Sequence, residues 1–143
     1  MADPKAGLFV VDLKPIPLAR GHRIRTHALS QAAVGRGPLG GFSGFALAAV
    51  MDAEGCSVRW AILPGNAREG WAQELVAGLA NVLGDRGFHW VEGVRTPPYR
   101  LRGGKVVETG WRPWMSRVRN WIETRFSVVV RSRGLHRLES KRF

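Results

Sequence analysis

Three acidic residues occupy positions from which their carboxylates could act together. Asp12 follows the apolar run LFVV, Asp85 follows the apolar run NVLG, and Glu123 lies in the apolar-periodic stretch WMSRVRNWIETRFSVVV. Functional groups at the carboxyl ends of neighbouring strands gather beyond one edge of an open α/β sheet, and a helix on that sheet can add a third group. Clustered carboxylates repel one another and require a cation, and oxygen ligands select hard ions such as Mg²⁺ or Mn²⁺.

A pair of divalent ions held in this way performs phosphodiester chemistry without a nucleophilic side chain. Two such ions about 4 Å apart activate a water molecule and stabilise the leaving oxygen. Arg119 lies one helical turn before Glu123 on the same face, where it pairs with the carboxylate or holds a phosphate. Each residue also has a simpler interpretation: Asp12 and Asp85 as polar residues that close a strand, and Arg119 with Glu123 as a weak surface ion pair.

The composition favours a polyanionic partner. The 143 residues fit one domain, and 22 Lys and Arg against 11 Asp and Glu give a formal net charge of +11. With 45% hydrophobic residues and six Trp, the chain is typical of a globular protein rather than a basic disordered tail. Nucleic acid is therefore favoured over an anionic membrane, although the same charge also fits a merely solvated surface.

The cysteine content and the hydropathy of the sequence indicate the cellular compartment in which the protein works. Cys56 is the single cysteine, which excludes an internal disulfide and a cysteine metal cluster. No apolar run suits a signal peptide or a membrane span. We therefore expect a cytoplasmic protein.

The first half of the chain predicts three strands that position the first acid. GLFVVD predicts a buried strand that Pro15 and Pro17 end, with Asp12 at its C-terminal end. Residues 20–41 carry four Arg and two His without a clean period, which indicates a mobile basic loop that contacts phosphate or is merely solvated. Residues 42–52 and 56–64 predict a hairpin around a turn at 53–55.

The second half predicts two helices and two short strands. Asn66 and Glu69 have the spacing of a capping box, which opens a helix with an apolar stripe at Trp71, Leu75 and Leu79. NVLGD and FHWVEGV predict strands, and residues 96–113 predict a loop with at most a small hairpin. The final helix carries apolar residues at positions 114, 118, 121, 122, 126 and 129. The predicted fold class is α/β (mixed α+β), a mixed sheet with helices against it.

Three stretches carry a resemblance to a known family. They are LFVVDLKPIPLAR, VLGDRGF and RNWIETRFSVVVRSRGLHR, and the hairpin GFSGFALAAVMDAEGCSVRWAILPGNARE lies between the first two. The chain resembles the catalytic domain of bacterial insertion-sequence transposases of the DDE type, which have a ribonuclease H-like fold. The likeness covers nearly the whole chain, and its second and third motifs are the most specific.

The resemblance implies a site and a reaction. Asp12, Asp85 and Glu123 are then the three metal-binding catalytic acids, and Arg119 is a catalytic partner that steadies Glu123 or a scissile phosphate. The implied cofactors are two Mg²⁺ (or Mn²⁺) ions. Water cuts one strand at the transposon end, and the freed 3′-hydroxyl attacks target DNA. The basic loop at 20–41 and a basic tail at 131–143 are expected to follow the backbone of double-stranded DNA.

The chain departs from the family pattern at several positions. Ala46 and Ala48 stand where the family commonly has a Lys and a His, and Val130 stands where a basic residue is often found. Only 11 residues precede Asp12, and the chain ends at Phe143. We therefore expect residues 1–143 to form a single ribonuclease H-like domain truncated at both ends, which works as a homo-oligomer or with a partner that carries the DNA-recognition region.

Two other classes of protein remain open from the sequence. One is a catalytically inactive, basic DNA-binding protein that retains the fold, and the other is a structural component of a nucleoprotein particle. Trp111 and Trp114 beside Arg112 and Arg117 fit stacking on an unpaired base, but aromatic residues at a helix start are more often part of the core.

Overall fold

The computed structural model describes residues 7–20, 33–37 and 40–132, and within them six strands form one mixed sheet. The strands are β1 (Phe9–Arg20), β2 (Ala33–Gly37), β3 (Gly40–Met51), β4 (Ser57–Pro64), β5 (Val82–Leu83) and β6 (Val94–Arg95). A separate two-stranded sheet contains β7 (Tyr99–Arg100) and β8 (Val106–Val107). The helices are α1 (Gln73–Val76), α2 (Pro113–Ser132) and two 3-10 helices, Glu69–Ala72 and Arg86–Trp90.

The sheet combines both strand directions. β3 is antiparallel to β1 on one side and to β2 and β4, which follow one another, on the other side. β1, β5 and β6 are parallel neighbours. The predicted fold class, a mixed sheet with flanking helices, is confirmed.

β1 is longer than predicted, because its prolines do not end it. Phe9 donates its N–H to the carbonyl of Asn81, at the start of β5. Residues two apart share an edge of a strand, so the nitrogens of Pro15 and Pro17 lie on this same edge. β5 pairs only with Phe9 and Val10, so no β5 acceptor stands opposite the two prolines. Asp12 therefore lies inside β1, and its predicted position at the end of the strand is wrong.

The two faces of the sheet carry separate apolar clusters. One cluster includes Val10 and Ala49 of the sheet and Ile122 and Phe126 of α2. The other includes Val11 and Val50 of the sheet with side chains from the Glu69–Val76 and Arg86–Trp90 helices. Successive residues of a strand point to opposite faces, so each sheet position can be assigned to the α2 face or to the opposite face.

The predicted hairpin is confirmed as β3 and β4, with Gly55 at φ 80° in the connecting turn. The basic loop predicted at 20–41 is only partly described. Residues 33–37 form β2 and residues 40–41 begin β3, so these parts are strand rather than loop. Residues 21–32 and 38–39 lie outside the described part of the chain.

The predicted capping box does not form. The first helix begins at Glu69, Arg68 occupies its N-cap position without a side-chain hydrogen bond, and Asn66 precedes it. The helical segment ends at Val76, because Ala77 has extended geometry and Gly78 has φ 77°. Leu79 therefore lies beyond the helix that was predicted to include it.

The segment FHWVEGV was predicted to be a strand, but its first three residues are the end of a 3-10 helix and the next three form a turn. Asp85 accepts a hydrogen bond from the N–H of Gly87 (2.9 Å) and caps the 3-10 helix Arg86–Trp90. Only Val94 and Arg95 form the following strand, β6. The small hairpin at β7 and β8 and the long C-terminal helix α2 are as predicted. No helix in the described ranges is both long enough and apolar enough to cross a lipid bilayer.

Candidate functional site

Asp12 and Asp85 lie at equivalent positions beyond the paired segment of two neighbouring parallel strands, Asp12 within β1 and Asp85 two residues after the end of β5. The last registered pair between β1 and β5 is Val10 with Leu83, and each acid lies two residues further along its strand direction. Both carboxylates therefore follow the carboxyl end of the paired segment. Asp12 and Asp85 were predicted to lie at neighbouring strand ends. They lie next to each other at the end of the paired segment, although β1 itself continues to Arg20.

Asp12 is directed toward the α2 face. It has the same parity as Val10 and Ile16, which belong to the cluster beneath α2. Its side chain is only 15% exposed, accepts a hydrogen bond from the N–H of Leu13 (2.9 Å) and lies 3.2 Å from Lys14 Nζ. Sequence reasoning did not identify Lys14, because its proximity to the acid depends on side-chain direction within the strand.

Helix α2 positions the third acid. Ile122 and Phe126 are buried against the sheet, and Glu123, between them, is partly buried. Arg119 Nε lies 3.7 Å from Glu123 Oε1, and Arg119 Nη1 contacts the carbonyl oxygen of Gly84 at 3.4 Å. Arg119 therefore links the carboxylate on α2 to the backbone residue that precedes Asp85.

The electrostatics tie the three acids into one cluster. Burial raises the pKa of Asp12, the ammonium group of Lys14 opposes this rise, and the charge of Asp85 adds to it. Burial also raises the pKa of Glu123, and the charges of Asp12 and Asp85 raise it further against the opposing effect of Arg119 and Lys14. Like charges have such effects only at short range. The three predicted acids are therefore brought into one neighbourhood.

The three carboxylates are of the type that binds a hard divalent cation, although their present arrangement does not form a coordination site. Carboxylate oxygens whose mutual repulsion raises a pKa are the ligands that Mg²⁺ and Mn²⁺ prefer. Within the described residues, no three His, Cys, Asp or Glu side chains form a group that would hold a metal ion. The charges of Lys14 and Arg119 balance the acids instead. Arg119 Nε is buried and has no hydrogen-bond partner among the described residues.

Two openings give access to the cluster. A cleft of about 720 Å³, here called the site cleft, is lined by Glu69, Asp85, Arg86, Gly87, Pro97, Pro98, Trp111, Ser116 and Arg119. A second opening of about 380 Å³ is lined in part by Lys14 and Glu123. The acids are thus reached from two sides, with Asp85 on the first and Glu123 on the second.

Glu69 is a fourth acid at this site, and sequence reasoning missed it. A Cβ on Gly87 would lie 2.6 Å from Glu69 Oε1 and 3.1 Å from Asp85 Oδ1, so both carboxylates flank the same point. The capping-box spacing had assigned Glu69 to a helix start. Gly87 allows this close approach because it has no side chain.

Several other residues marked in the sequence lie away from the acids. Ala46 and Ala48 are buried in β3 opposite Pro15 and Leu13, so their side chains point to the face opposite that of Asp12. Ala46 and Ala48, two of the positions that depart from the pattern of the resembled family, therefore do not lie on the α2 face, which carries Asp12.

The aromatic residues at the start of α2 have different environments. Trp111 is partly buried and donates its indole N–H to Ser116 Oγ (2.8 Å), with the Arg119 guanidinium 5.8 Å from its ring centre. Trp114 is exposed. The first is therefore a packed residue at the site cleft, and only the second presents a free ring surface. The basic tail from residue 133 onward lies outside the described residues.

Comparison of the chain with models of protein families, with curated proteins and with solved structures found no match.

Proposed function

We propose that the protein is a metal-dependent DNA strand-cleaving and strand-transferring enzyme of the DDE transposase type. The observation that carries the proposal is the closeness of Asp12, Asp85 and Glu123, acids far apart in the sequence: the charge of Asp85 adds to the burial that raises the pKa of Asp12, and the charges of Asp12 and Asp85 add to the burial that raises the pKa of Glu123. The resemblance of the three motifs around them supports the same assignment. A ribonuclease H-like fold is part of the proposal and is consistent with the mixed sheet.

The chain's own residues have separate tasks in this reaction. Asp12, Asp85 and Glu123 would hold Mg²⁺ or Mn²⁺, and the bound ions would supply an activated water and charge stabilisation at the leaving oxygen. Arg119 orients Glu123 through its ion pair and holds the backbone before Asp85 through the Gly84 carbonyl. Arg86, at the mouth of the site cleft, is placed to bind a phosphate.

Double-stranded DNA is the substrate in this proposal. The net charge of +11 favours a polyanion, and the tip of the β7–β8 hairpin presents exposed Arg100, Arg102 and Lys105. Phosphate contacts of this kind give affinity without sequence preference. As part of the proposal the protein acts in the cytoplasm, where the exposed thiol of Cys56 stays reduced.

The proposal is tested with supercoiled plasmid and a labelled duplex oligonucleotide that has a free 3′-hydroxyl. With Mg²⁺ or Mn²⁺ we expect nicking of the plasmid and covalent joining of the label, and both reactions stop when EDTA is added. Asp85→Asn should lower both rates at least about 100-fold, because a metal ligand is lost. The matched control is Glu74→Gln, an exposed acid on α1, which should react like the wild type. Equal activity in Asp85→Asn would refute the proposal.

A catalytically inactive DNA-binding protein is the second candidate, and one observation favours it. Lys14 and Arg119 already lie beside Asp12 and Glu123, so the acids are balanced within the chain. In that case wild type and Asp85→Asn bind duplex DNA equally in mobility-shift experiments, and neither reacts with any divalent metal. The plasmid experiment therefore separates the two candidates.

A further inference from the structure

The 3-10 helix Arg86–Trp90 ends in the most exposed large apolar side chain of the described residues. Trp90 is 76% exposed and follows the buried Phe88 and the partly buried His89. A single exposed Trp is ordinary on a protein surface. Trp90 differs from the other exposed Trp residues in the aromatic rings that it contacts.

Three aromatic rings, here called the aromatic row, stack on one another. The ring centre of His89 lies 4.3 Å from that of Tyr99 and 4.6 Å from that of Trp90, with interplanar angles of 33° and 46°. Ring pairs at such distances attract one another through offset and tilted contacts. Trp90 is the exposed end of the row, and most of its ring surface is open to a further flat ring.

The middle ring of the row is held in place by the chain itself. His89 Nδ1 lies 2.6 Å from the carbonyl oxygen of Arg86, one turn earlier in the same helix. Because a carbonyl only accepts, Nδ1 is the donor, which fixes the orientation of the ring. Tyr99 belongs to β7, which pairs with β8. A stacking surface that is already ordered loses little conformational freedom when a ligand binds.

The aromatic row begins at the wall of the site cleft. Pro97 and Pro98 line this cleft, and Tyr99 follows them directly in the chain. Arg86 lines the same cleft and lies in the helix that ends at Trp90. A DNA strand with a phosphate in the cleft is therefore within reach of the row.

The charge around the row favours a nucleic acid as its ligand. Residues 86–105 contain five Arg or Lys and one acid, Glu92. Arg100, Arg102 and Lys105 of this segment are exposed. An uncharged apolar ligand gains nothing from these cations, whereas a nucleotide supplies both a flat base and a phosphate.

We propose that the aromatic row stacks an unpaired base of the DNA strand whose phosphate lies in the site cleft, with Trp90 against the base. In a duplex each base is already stacked between its neighbours, so only a base that has left the duplex offers a free face. The substrate of the site is then a strand with an unpaired nucleotide, such as a frayed or single-stranded end. This inference rests on the proposed function for its ligand, DNA, but the binding itself needs neither the acids nor a metal ion.

The first experiment measures the binding of a fluorescent oligothymidine strand in EDTA by anisotropy. The wild type should bind this strand more tightly than an abasic strand of equal length, which carries the same phosphates without bases. Trp90→Ala should weaken binding of the oligothymidine at least about fivefold, because stacking on the ring is lost, and should change binding of the abasic strand less than about twofold.

Trp60→Ala is the matched control for this experiment. Trp60 is also exposed (64%) and lies on β4, which three strands separate from β6 in the sheet. This variant should bind the oligothymidine like the wild type. Equal affinities of the wild type and a folded Trp90→Ala would overturn the proposal, and so would equal losses in Trp90→Ala and Trp60→Ala.

A photochemical experiment on the unchanged protein locates the base without any mutation. A strand that contains iodouracil, irradiated in complex with the wild type, should cross-link to Trp90 or its neighbours in the row, as identified by mass spectrometry of the peptides. Cross-links confined to Trp111 and Trp114 would overturn the assignment. If Trp90→Ala does not fold, Trp90→Phe replaces it: the smaller ring still stacks, so its affinity should stay within about fivefold of the wild type.

The outcomes separate this inference from the proposed function. A wild type that prefers the oligothymidine to the abasic strand but does not nick plasmid with Mg²⁺ or Mn²⁺ would refute the proposed function and leave the stacking surface standing. Metal-dependent nicking by a wild type that binds both strands equally would refute the stacking surface alone.

Discussion

The carboxyl groups of Asp12 and Glu123 are harder to ionise in the folded chain than in water, because burial raises the pKa of both. Between its ordinary pKa and the raised one, each group binds a proton in the folded state and has lost it in the unfolded state. The free energy of unfolding therefore falls as the pH rises through this window. At neutral pH both ionised acids destabilise the metal-free protein, and a bound cation would reverse this effect.

Asp12→Asn should consequently stabilise the metal-free protein at pH 7. The amide carries no charge to desolvate, and Lys14 remains near Glu123. We expect the free energy of unfolding to rise by about 1 kcal/mol, which corresponds to an increase of roughly 3 °C in the melting temperature. The gain should shrink as the pH falls toward 3.8, the ordinary pKa of Asp. Thermal melts between pH 4 and 7 measure this gain in stability, with Glu74→Gln as the control. A melting temperature of Asp12→Asn below that of the wild type at pH 7 would contradict the conclusion that burial of the ionised Asp12 destabilises the protein.

Lys14→Met tests whether the ammonium group takes the place of a metal ion. Lys14 lowers the pKa of both Asp12 and Glu123, so its removal should destabilise the metal-free protein. Its loss should also strengthen Mn²⁺ binding by about tenfold, because the cation no longer competes with a bound ammonium. Calorimetric titration with MnCl₂ measures this change, with Lys105→Met at the hairpin tip as the control. Weaker binding in Lys14→Met would show that Lys14 does not compete for the site.

At the scale of elements, the connection from β5 to the Arg86–Trp90 helix determines where Asp85 lies. Gly84 stands at this point, and its carbonyl contacts Arg119 of α2. A Cβ on Gly84 would come within 2.8 Å of Val94 Cγ1 and 3.0 Å of Phe88 Cβ. The Arg86–Trp90 helix and β6 therefore pack so closely around Gly84 that no side chain fits there, and α2 contacts the carbonyl of the same residue.

Gly84→Ala should for this reason be destabilising by about 1–3 kcal/mol, the cost of overpacking a core. It should also lower the rate of any metal-dependent DNA reaction, because Asp85 and Arg119 are displaced together. Gly70→Ala is the matched control: a Cβ there meets nothing within 4 Å in the described part of the chain, so we expect no loss of stability. Urea denaturation of the two variants measures the difference, and equal midpoints would disprove the tight approach at Gly84.

Elements whose apolar residues recur at the regular spacing of a helix or a strand were predictable from the sequence. The apolar stripe of α2 and the hairpin of β3 and β4 needed no tertiary information. β2 was not predictable, because AVGRG has no alternation and its strand geometry comes from pairing with β3. The Arg86–Trp90 helix was missed because Asp85, whose side chain caps it, had been interpreted as a metal ligand or as a polar residue that closes a strand, and not as a helix cap.

The convergence of the acids was predictable in outline, but their surroundings were not. Parallel strands place Asp12 and Asp85 at one edge wherever β1 and β5 are neighbours, and the helical period places Arg119 beside Glu123. Glu69 reaches Asp85 only because Gly87 leaves space, and Lys14 meets Glu123 only through the packing of α2 on β1. Contacts of this kind depend on side-chain directions that a single sequence does not encode locally.

For the whole molecule, the net charge of +11 predicts a steep salt dependence of DNA binding. Each neutralised phosphate releases counterions, and six or more contacts would lower the affinity about 1,000-fold or more between 50 and 200 mM salt. Fluorescence anisotropy with a duplex of arbitrary sequence measures the slope. Variants that lose Arg102 should show a shallower slope, and an affinity independent of salt would contradict binding through the backbone.

The central claim is that Asp12, Asp85 and Glu123 share divalent cations. The most direct measurement is an anomalous difference map from crystals of the wild type grown with MnCl₂. We predict one or two manganese peaks between these carboxylates, with oxygen ligands about 2.0–2.3 Å away, and no such peak in Asp85→Asn crystals. Wild-type crystals without manganese at this position, in which Asp12 still pairs with Lys14 and Glu123 with Arg119, would contradict the account.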